Sequence, residues 1–596
     1  MSCSIRYPVA AVLIVVGLAA ARAQTTNSQP NRCPANAAPF TGTAGGSQWN
    51  GWGGDVTERR FQSAERAGLS AAAVPRLTLK WAFGFPKAQM AYGQPTVVGN
   101  RLFVGSADGT VYALDAESGC TYWTFKAGAP VRTAMSVGPI GSSWAVYFGD
   151  LQASAYAIDA TTGALVWKTR VDTHPAARIT GAPALAGGRL YVPASSIEEA
   201  LAANGKYPCC TFRGSLSSLD AATGAVIWKS YTIPEEPKPA GKNRAGVQMT
   251  APSGAAIWSS PTVDVEGGMI FVTTGDSYSE PAAATSDAFL AFDLKTGKLL
   301  WARQATAGDA FTVDCDFPER ARGNCPAPPG PDHDFGTSAI LVKLANGRRA
   351  LIAGQKSGIV HAIDPDRQGA ILWQHRIGQG GRLGGIQWGM SADDRRVYAA
   401  VSDVQITAPP PGGEGGRPSF SGMPLMLSPT AGGGLYALDA ITGEIAWHTP
   451  HPGCGSTPGC SPAQSAATTV MPGVVFSGGL DGHLRAYDTK DGHVIWDVDT
   501  ERPFSTVNGV EAKGGSLDGS GPVVVNGMVY VNSGYLFAGH TPGNVLLAFS
   551  ADSRGGSGSR DSRIRDQRSG SLFGAQRHPG RHPAGANRRP ERRDHC

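Results

Sequence analysis

Seven copies of one short pattern limit what this chain can fold into more than any other feature of it. They read YALDAESGCTYW, YAIDATTGALVW, SSLDAATGAVIW, LAFDLKTGKLLW, HAIDPDRQGAILW, YALDAITGEIAW and RAYDTKDGHVIW. Each carries an aspartate (Asp115, Asp159, Asp220, Asp293, Asp364, Asp439, Asp488) and closes on a tryptophan (Trp123, Trp167, Trp228, Trp301, Trp373, Trp447, Trp496). Alternating apolar residues before the Asp predict a half-buried strand. The Asp with a following Thr-Gly or Asp-Gly predicts a tight turn, and the next apolar run is the partner strand, whose Trp docks on a neighbouring copy. Upstream of most copies stands another strand pair, such as PTVVGNRLFVGS, so each unit holds about four strands. One such sheet cannot bury both of its faces, and units repeating at this period stack radially. An unmatched front strand, LTLKWAFGF with Trp81, and an unmatched back strand, NVLLAFS, can pair and remove the open edge. The expected fold is all-β, an eight-bladed β-propeller of four-stranded antiparallel blades over residues 48–550.

Abundant glycine (79 of 596 residues) and few charged residues (17%) agree with a turn-rich β protein. Residues 1–23 read as a secretory signal peptide, with Arg6, the apolar run PVAAVLIVVGLAAA and an A-x-A site at Ala21–Ala23. Residues 24–47 form an N-terminal extension. The apolar run is too short to span a bilayer comfortably and no later segment approaches that length, so the expectation is a periplasmic protein with no stable membrane anchor. Export favours disulfides. Cys315/Cys325 and Cys454/Cys460 sit in Gly/Pro-rich loops that suit local bridges, while the pairing of Cys33, Cys120 and the adjacent Cys209 and Cys210 stays open. Residues 551–596 carry 11 Arg against 5 acidic residues, a net +6 that exceeds the +5 of the whole chain. The propeller is therefore near neutral, and the tail reads as a disordered basic extension. Export argues against a nucleic-acid partner for its arginines.

The repeat aspartates lie 44, 61, 73, 71, 75 and 49 residues apart. The long insertions fall in the middle blades, so the chemistry is expected on rim loops within residues 170–430. The repeat A-x-D-x-x-T-G-x-x-x-W resembles that of the pyrroloquinoline quinone (PQQ) dehydrogenases. The segments WNGWGGDVTERRFQ, LKWAFGFP, MAYGQPTVV and SGPVVVNGMVYVNSGY resemble the polyvinyl alcohol dehydrogenase branch of that family in particular.

The resemblance implies PQQ and Ca2+ as cofactors and an alcohol or polymeric polyol as substrate. PQQ is a flat, tricarboxylated ortho-quinone. Its site needs apolar or flat walls, cations for the carboxylates, a metal with hard oxygen ligands, and a base for the hydroxyl proton. By resemblance Trp258, in GAAIWSSPTVD, stacks on the ring, and Asp276, 18 residues on in FVTTGDSYSEPA, replaces an Asn metal ligand. VPASSIEEALA resembles the stretch leading to a glutamate metal ligand; Glu199 fits the spacing better and Glu198 is the alternative. Asp334, in PDHDFGTSAILV, falls on the catalytic aspartate, which also ligates the metal, and Gly336 stands where lanthanide-dependent relatives carry an Asp, which favours calcium. Lys356, in AGQKSGIVHAID, takes the place of an Arg at the quinone oxygens, keeping the charge without the planar fork. Arg132 aligns with an Arg for a PQQ carboxylate and Thr180 with a cofactor-binding Thr. Gln387 is a candidate polar contact and Trp388 a wall of the substrate pocket. The family's bridge between adjacent cysteines, flat against the quinone, gives Cys209 and Cys210 a ring-facing reading. A purely structural bridge, or pairing with Cys120 or Cys33, is the alternative.

No C-x-x-C-H haem motif is present, so electrons are expected to leave through a separate cytochrome c-type acceptor. The competing reading is a non-catalytic propeller of the same repeat, acting as an outer-membrane assembly or binding scaffold. Such a scaffold needs no buried acids, no Trp outside the repeat and no long middle loops. A dinucleotide-binding reading fails because Gly432-Gly433-Gly434 precedes a strand instead of following one.

Overall fold

Each repeat copy folds into the last two strands of an antiparallel sheet, and the strand pair upstream supplies the first two. The computed structural model describes residues 31–551 apart from 43–45, 320–321, 408–416, 419–423, 456 and 458. The signal peptide, part of the N-terminal extension and the basic tail lie outside the described residues. Eight blades result, mostly four-stranded. Their first strands are Thr96–Val98, Ser136–Ile140, Ala184–Ala186, Thr262–Asp264, Ile340–Lys343, Ser391–Ala392, Thr469–Met471 and Val523–Val525. The last blade closes the ring as expected: Thr78–Gly84 pairs antiparallel with Val545–Ser550, with Trp81 opposite Ala548. Among the described residues no helix is long and apolar enough to cross a membrane.

The repeat turn explains its own composition. Asp159 Oδ1 accepts from the backbone N–H groups of Thr161 and Thr162 and from the Thr162 hydroxyl at 2.8–3.0 Å, and Asp220 and Asp293 do the same in their blades. Gly163 then turns the chain at φ 74°, a region that disfavours side chains. A Cβ there would also stand 2.7 Å from the Trp123 ring of the preceding blade. Trp123 Nε1 donates to Ala160 O at 3.0 Å. The same staple joins Trp167 to Ala221, Trp373 to Ala440 and Trp447 to Thr489, and across the seam Trp496 to Leu77 and Trp81 to Ala116. These six tryptophans tie their blades to the next ones, whereas Trp228 Nε1 is buried without a partner; the apolar cores lie between neighbouring sheets, as where Phe103 and Trp123 meet Val146 and Phe148.

Among the described residues four disulfides form: Cys33–Cys120, Cys209–Cys210, Cys315–Cys325 and Cys454–Cys460. The two local bridges are those expected from the loops. The adjacent cysteines pair with each other, so neither bonds to Cys33 or Cys120.

Candidate active site

One register position runs round the whole propeller. The residue four places before the first strand of each blade is, in order, Tyr92, Arg132, Thr180, Trp258, Gly336, Gln387, Ser465 and Gly519. All eight border one of two cavities. The equivalence is physical: the lead-in to an innermost strand runs toward the axis, so the same step in each blade points at the same place. The larger cavity, about 400 Å³ of space partly open to solvent, takes Arg132, Thr180, Trp258, Gly336 and Trp388, with Trp52, Tyr92 and Ser520. The site is therefore wider than the expected window of residues 170–430, because every blade contributes to an axial site whatever the length of its loops.

Beside Trp258 lies a buried ionic cluster from the third to fifth blades. In the loop segment Asp334-Phe335-Gly336 ahead of the fifth blade's first strand, Phe335 packs into the core against Phe289, while Gly336 borders the larger cavity and Asp334 joins the ionic cluster. Asp334 Oδ1 accepts from the Asp276 N–H at 2.6 Å, and Oδ2 from Lys356 Nζ at 2.8 Å. Lys356 Nζ also donates to Asp332 Oδ1 at 2.7 Å and stands 5.6 Å from the centre of the Trp258 ring. Burial works against the Lys356 charge, but Asp332, Asp334 and Glu199 outweigh it and hold the ammonium well above the usual lysine range. Burial, then the charge of Asp334, pushes Glu199 up to about 7, and the same two causes lift Asp276 well above the usual carboxylate range. Asp276 Oδ2 is buried with no hydrogen-bond partner.

Glycines make this packing possible. A Cβ on Gly275 would stand 2.5 Å from Asp334 Oδ1, and one on Gly336 would stand 2.2 Å from the Trp258 ring and from Gln387 O. Trp388 meets Trp258 edge-on at 5.5 Å. Arg132 lies over the rings of Trp388 at 4.8 Å and Tyr535 at 5.6 Å, and no carboxylate pairs with it among the described residues. Thr180 Oγ1 and Ser195 Oγ share a 2.7 Å hydrogen bond.

Residues 49–321 match the β-propeller domain of glucose, ethanol and alcohol PQQ dehydrogenases, and residues 356–535 match the pattern of outer membrane protein assembly factor BamB. The chain is 44% identical over 528 residues to a polyvinylalcohol dehydrogenase of a Pseudomonas species, covering 85% of this chain and 77% of that one. With the same coverage it is 42% identical to the polyvinylalcohol dehydrogenase of Sphingopyxis sp. strain 113P3. The chain belongs to the PQQ-dependent alcohol dehydrogenase family. The fold agrees: quinohemoprotein alcohol dehydrogenase ADHIIG of Pseudomonas putida HK5 superposes with a TM-score of 0.62 at 19% identity, over 87% of this chain and 82% of that one.

For a PQQ-dependent alcohol dehydrogenase, the two adjacent glutamates separate cleanly. Both follow the third blade's strand Arg189–Ser196 on the short helix Glu198–Leu201. Glu198 is fully buried, and its carboxylate accepts from the N–H groups of Thr211 and Phe212 and from the Tyr207 hydroxyl. It clamps the loop carrying Cys209 and Cys210. Glu199 is the one whose charge is coupled to Asp334, Asp309 and Lys356. Cys209 and Cys210 are fully buried in the apolar cluster on which Trp258 packs, and neither borders the two cavities. Gln387 borders the smaller cavity, away from the Arg132 side. The sequence alone assigns no site role to Trp52, Tyr92, Tyr535 or Asp518, although the first three lie in segments that carry the family resemblance. Counting four back from each first strand would have found Tyr92 at once, whereas nothing local marks Asp518.

These residues fit a flat polyanion and a hard cation chemically. An indole and an arginine without a carboxylate line the larger cavity, and the clustered carboxylates with an orphaned buried oxygen lie beside that indole, around Lys356, without bordering either cavity. Among the described residues no three His, Cys, Asp or Glu side chains are gathered closely enough to grip a metal in this arrangement.

Proposed function

We propose that this PQQ-dependent alcohol dehydrogenase oxidises secondary hydroxyls, including those of a polyvinyl alcohol-like polyol, in the periplasm, and passes electrons to a separate cytochrome c-type acceptor. The observation that carries the reading is the Asp334–Lys356 pair beside Trp258, an indole that also lines the cavity bordered by Arg132. The printed names of the two polyvinylalcohol dehydrogenases suggest the substrate class. The four disulfides suit an oxidising compartment.

PQQ with Ca2+, when bound, supplies the two-electron acceptor and the Lewis acid. Trp258 provides the flat wall for the ring, with the Cys209–Cys210 bridge as a rigid apolar backing. Arg132 holds a carboxylate and Thr180 a further polar edge. Glu199, Asp276 and Asp334 offer oxygens to calcium, and the orphaned Asp276 Oδ2 is the donor with nothing else to do. Asp334, oriented by the Asp276 N–H and Lys356, accepts the hydroxyl proton of the substrate. Lys356 offsets negative charge as it develops beside Asp334. Trp388, edge-on to Trp258, walls the substrate side and excludes water.

The test is reconstitution. Purified apoprotein is given PQQ and Ca2+, and dye reduction is followed with 2-butanol and with polyvinyl alcohol. Turnover requiring both additions is expected. No turnover and no change in PQQ absorbance would leave the binding-scaffold reading.

A further inference from the structure

Arg132 is a cation held in place by rings. Its guanidinium lies over Trp388 and Tyr535, and among the described residues no hydrogen bond of its own fixes it. Attraction to a ring face lacks the fixed direction of a forked hydrogen bond. The place of Arg132 is therefore set by whatever holds those two rings. Tyr535 packs edge-on against Tyr92 at 5.7 Å and stacks on Phe537 at 5.9 Å. Gly519 makes room for it, since a Cβ there would stand 2.9 Å from the Tyr535 ring.

Trp388 is held by a polar contact instead. The residue is buried, and a buried indole N–H needs an acceptor. That acceptor is Asp518, whose Oδ1 takes the hydrogen bond from Trp388 Nε1. Asp518 is itself anchored on both oxygens. Ser465 Oγ donates to Oδ1 at 2.7 Å, and His540 Nδ1 stands 3.1 Å from Oδ2 in an ion pair. Burial works against the charge of Asp518, but its pairing with His540 and the hydrogen bond from Ser465 outweigh it and hold the carboxyl below the usual carboxylate range. Trp388, Ser465 and Asp518 stand on the lead-ins to the sixth, seventh and eighth blades, so one carboxylate ties three blades together at the axis. Trp388 and Arg132 both border the larger cavity, whereas Asp518 does not.

We propose that Asp518 is a positioning residue of the cofactor site: by holding the Trp388 indole it fixes the ring face on which Arg132 rests, and so sets the affinity for PQQ without touching it. The inference rests on the reading of Arg132 as the partner of a PQQ carboxylate. What the indole requires at this point is an acceptor, not a negative charge. Asparagine can supply that acceptor and leucine cannot.

The experiment titrates PQQ into the purified chain at saturating Ca2+ and follows its absorbance. Wild type is compared with Asp518→Asn, Asp518→Leu, Trp388→Phe and the double variant Trp388→Phe/Asp518→Leu, each with a thermal melt. Asp518→Leu is expected to weaken PQQ binding about tenfold, and Asp518→Asn by no more than about threefold. Trp388→Phe has no N–H for Asp518 to hold, so adding Asp518→Leu to it should cost little further affinity, even where the melting temperature falls again. Wild-type affinity in Asp518→Leu overturns the proposal. Equal losses in the Asn and Leu variants overturn it too, by tracing the effect to the charge opposite His540. So do additive losses in the double variant, which a general loosening of the fold would give. Should Asp518→Leu not fold, Trp388→Phe decides: weaker PQQ binding upholds the proposal and unchanged affinity overturns it. A wild type that binds no PQQ removes the cofactor reading and this inference with it, whereas a wild type and variants that bind it equally remove the positioning role alone.

Discussion

The ammonium of Lys356 bridges two buried carboxylates, lying 2.7 Å from Asp332 and 2.8 Å from Asp334. Its charge sits between two buried acids only two positions apart in the chain. Removing one partner from such a group leaves uncompensated buried charge, at a cost of about 3–5 kcal/mol. Lys356→Met should therefore lower the melting temperature sharply at neutral pH and abolish turnover. Lys356→Arg keeps the charge and should restore much of the stability. Thermal melts of the two variants check this, and equal melting temperatures would contradict the bridging role.

Asp334→Asn removes the proposed base while preserving shape, although its amide can accept only one of the two hydrogen bonds that Asp334 takes from the Asp276 N–H and Lys356 Nζ. Turnover of 2-butanol should drop about 10²–10⁴-fold, the usual worth of a positioned base, with PQQ still bound by absorbance. A variant that oxidises alcohol at the wild-type rate would reassign the base.

The acid cluster predicts an unusual pH dependence in metal-free protein. Glu199 rises from 4.5 to about 7 on folding, and burial lifts Asp276, Asp287 and Asp332 in the same direction. A carboxyl whose pKa is raised on folding binds its proton more tightly in the folded chain. The stability it lends is complete below the unfolded value and is lost as pH rises through the folded one. Melting temperature should accordingly fall between pH 5 and pH 8. Glu199→Gln should lessen that fall, and added Ca2+ should stabilise the wild type more at pH 8 than at pH 5. A flat profile in the metal-free protein would refute the prediction.

Glu198 and Glu199 should fail in different ways. Glu198→Ala leaves the Thr211 and Phe212 N–H groups buried without their acceptor; hydrogen bonds to a charged group are worth about 1.5–3 kcal/mol each. Faster amide exchange across residues 207–212 and a lower melting temperature are expected, whereas Glu199→Gln should mainly weaken the response to calcium. Hydrogen exchange by mass spectrometry distinguishes the two.

Gly336 leaves no room for the acid found in lanthanide-dependent relatives. In Gly336→Asp the new Cβ would meet the Trp258 ring and Gln387 O. The variant should lose PQQ binding, and a lanthanide salt should not rescue it. Recovery of activity with a lanthanide would show that Trp258 can move aside.

Much of this molecule is local and hence legible in the sequence. An Asp–Thr–Gly turn, a two-residue alternation and a docking tryptophan involve neighbours along the chain, so the blades, their number and the seam at Trp81 could be read directly. Trp258 is marked by lying outside the repeat, whereas Asp276 and Asp334 are reached only through the resemblance to the family.

Three further features depend on where separate loops arrive in space, and only the tertiary structure decided them. Glu198 and Glu199 are adjacent in sequence, yet one turns back onto the Cys209–Cys210 loop and the other couples to residues more than a hundred positions away. Asp332 becomes a partner of Lys356 only because two loops of the fifth blade converge. Asp518 and His540 meet Gln387 and Ser465 because the sixth, seventh and eighth blades share an axis. Periodicity along the chain sets each blade; burial among blades sets which charges meet, which polar atoms are left unpaired, and so what the centre of the propeller can bind.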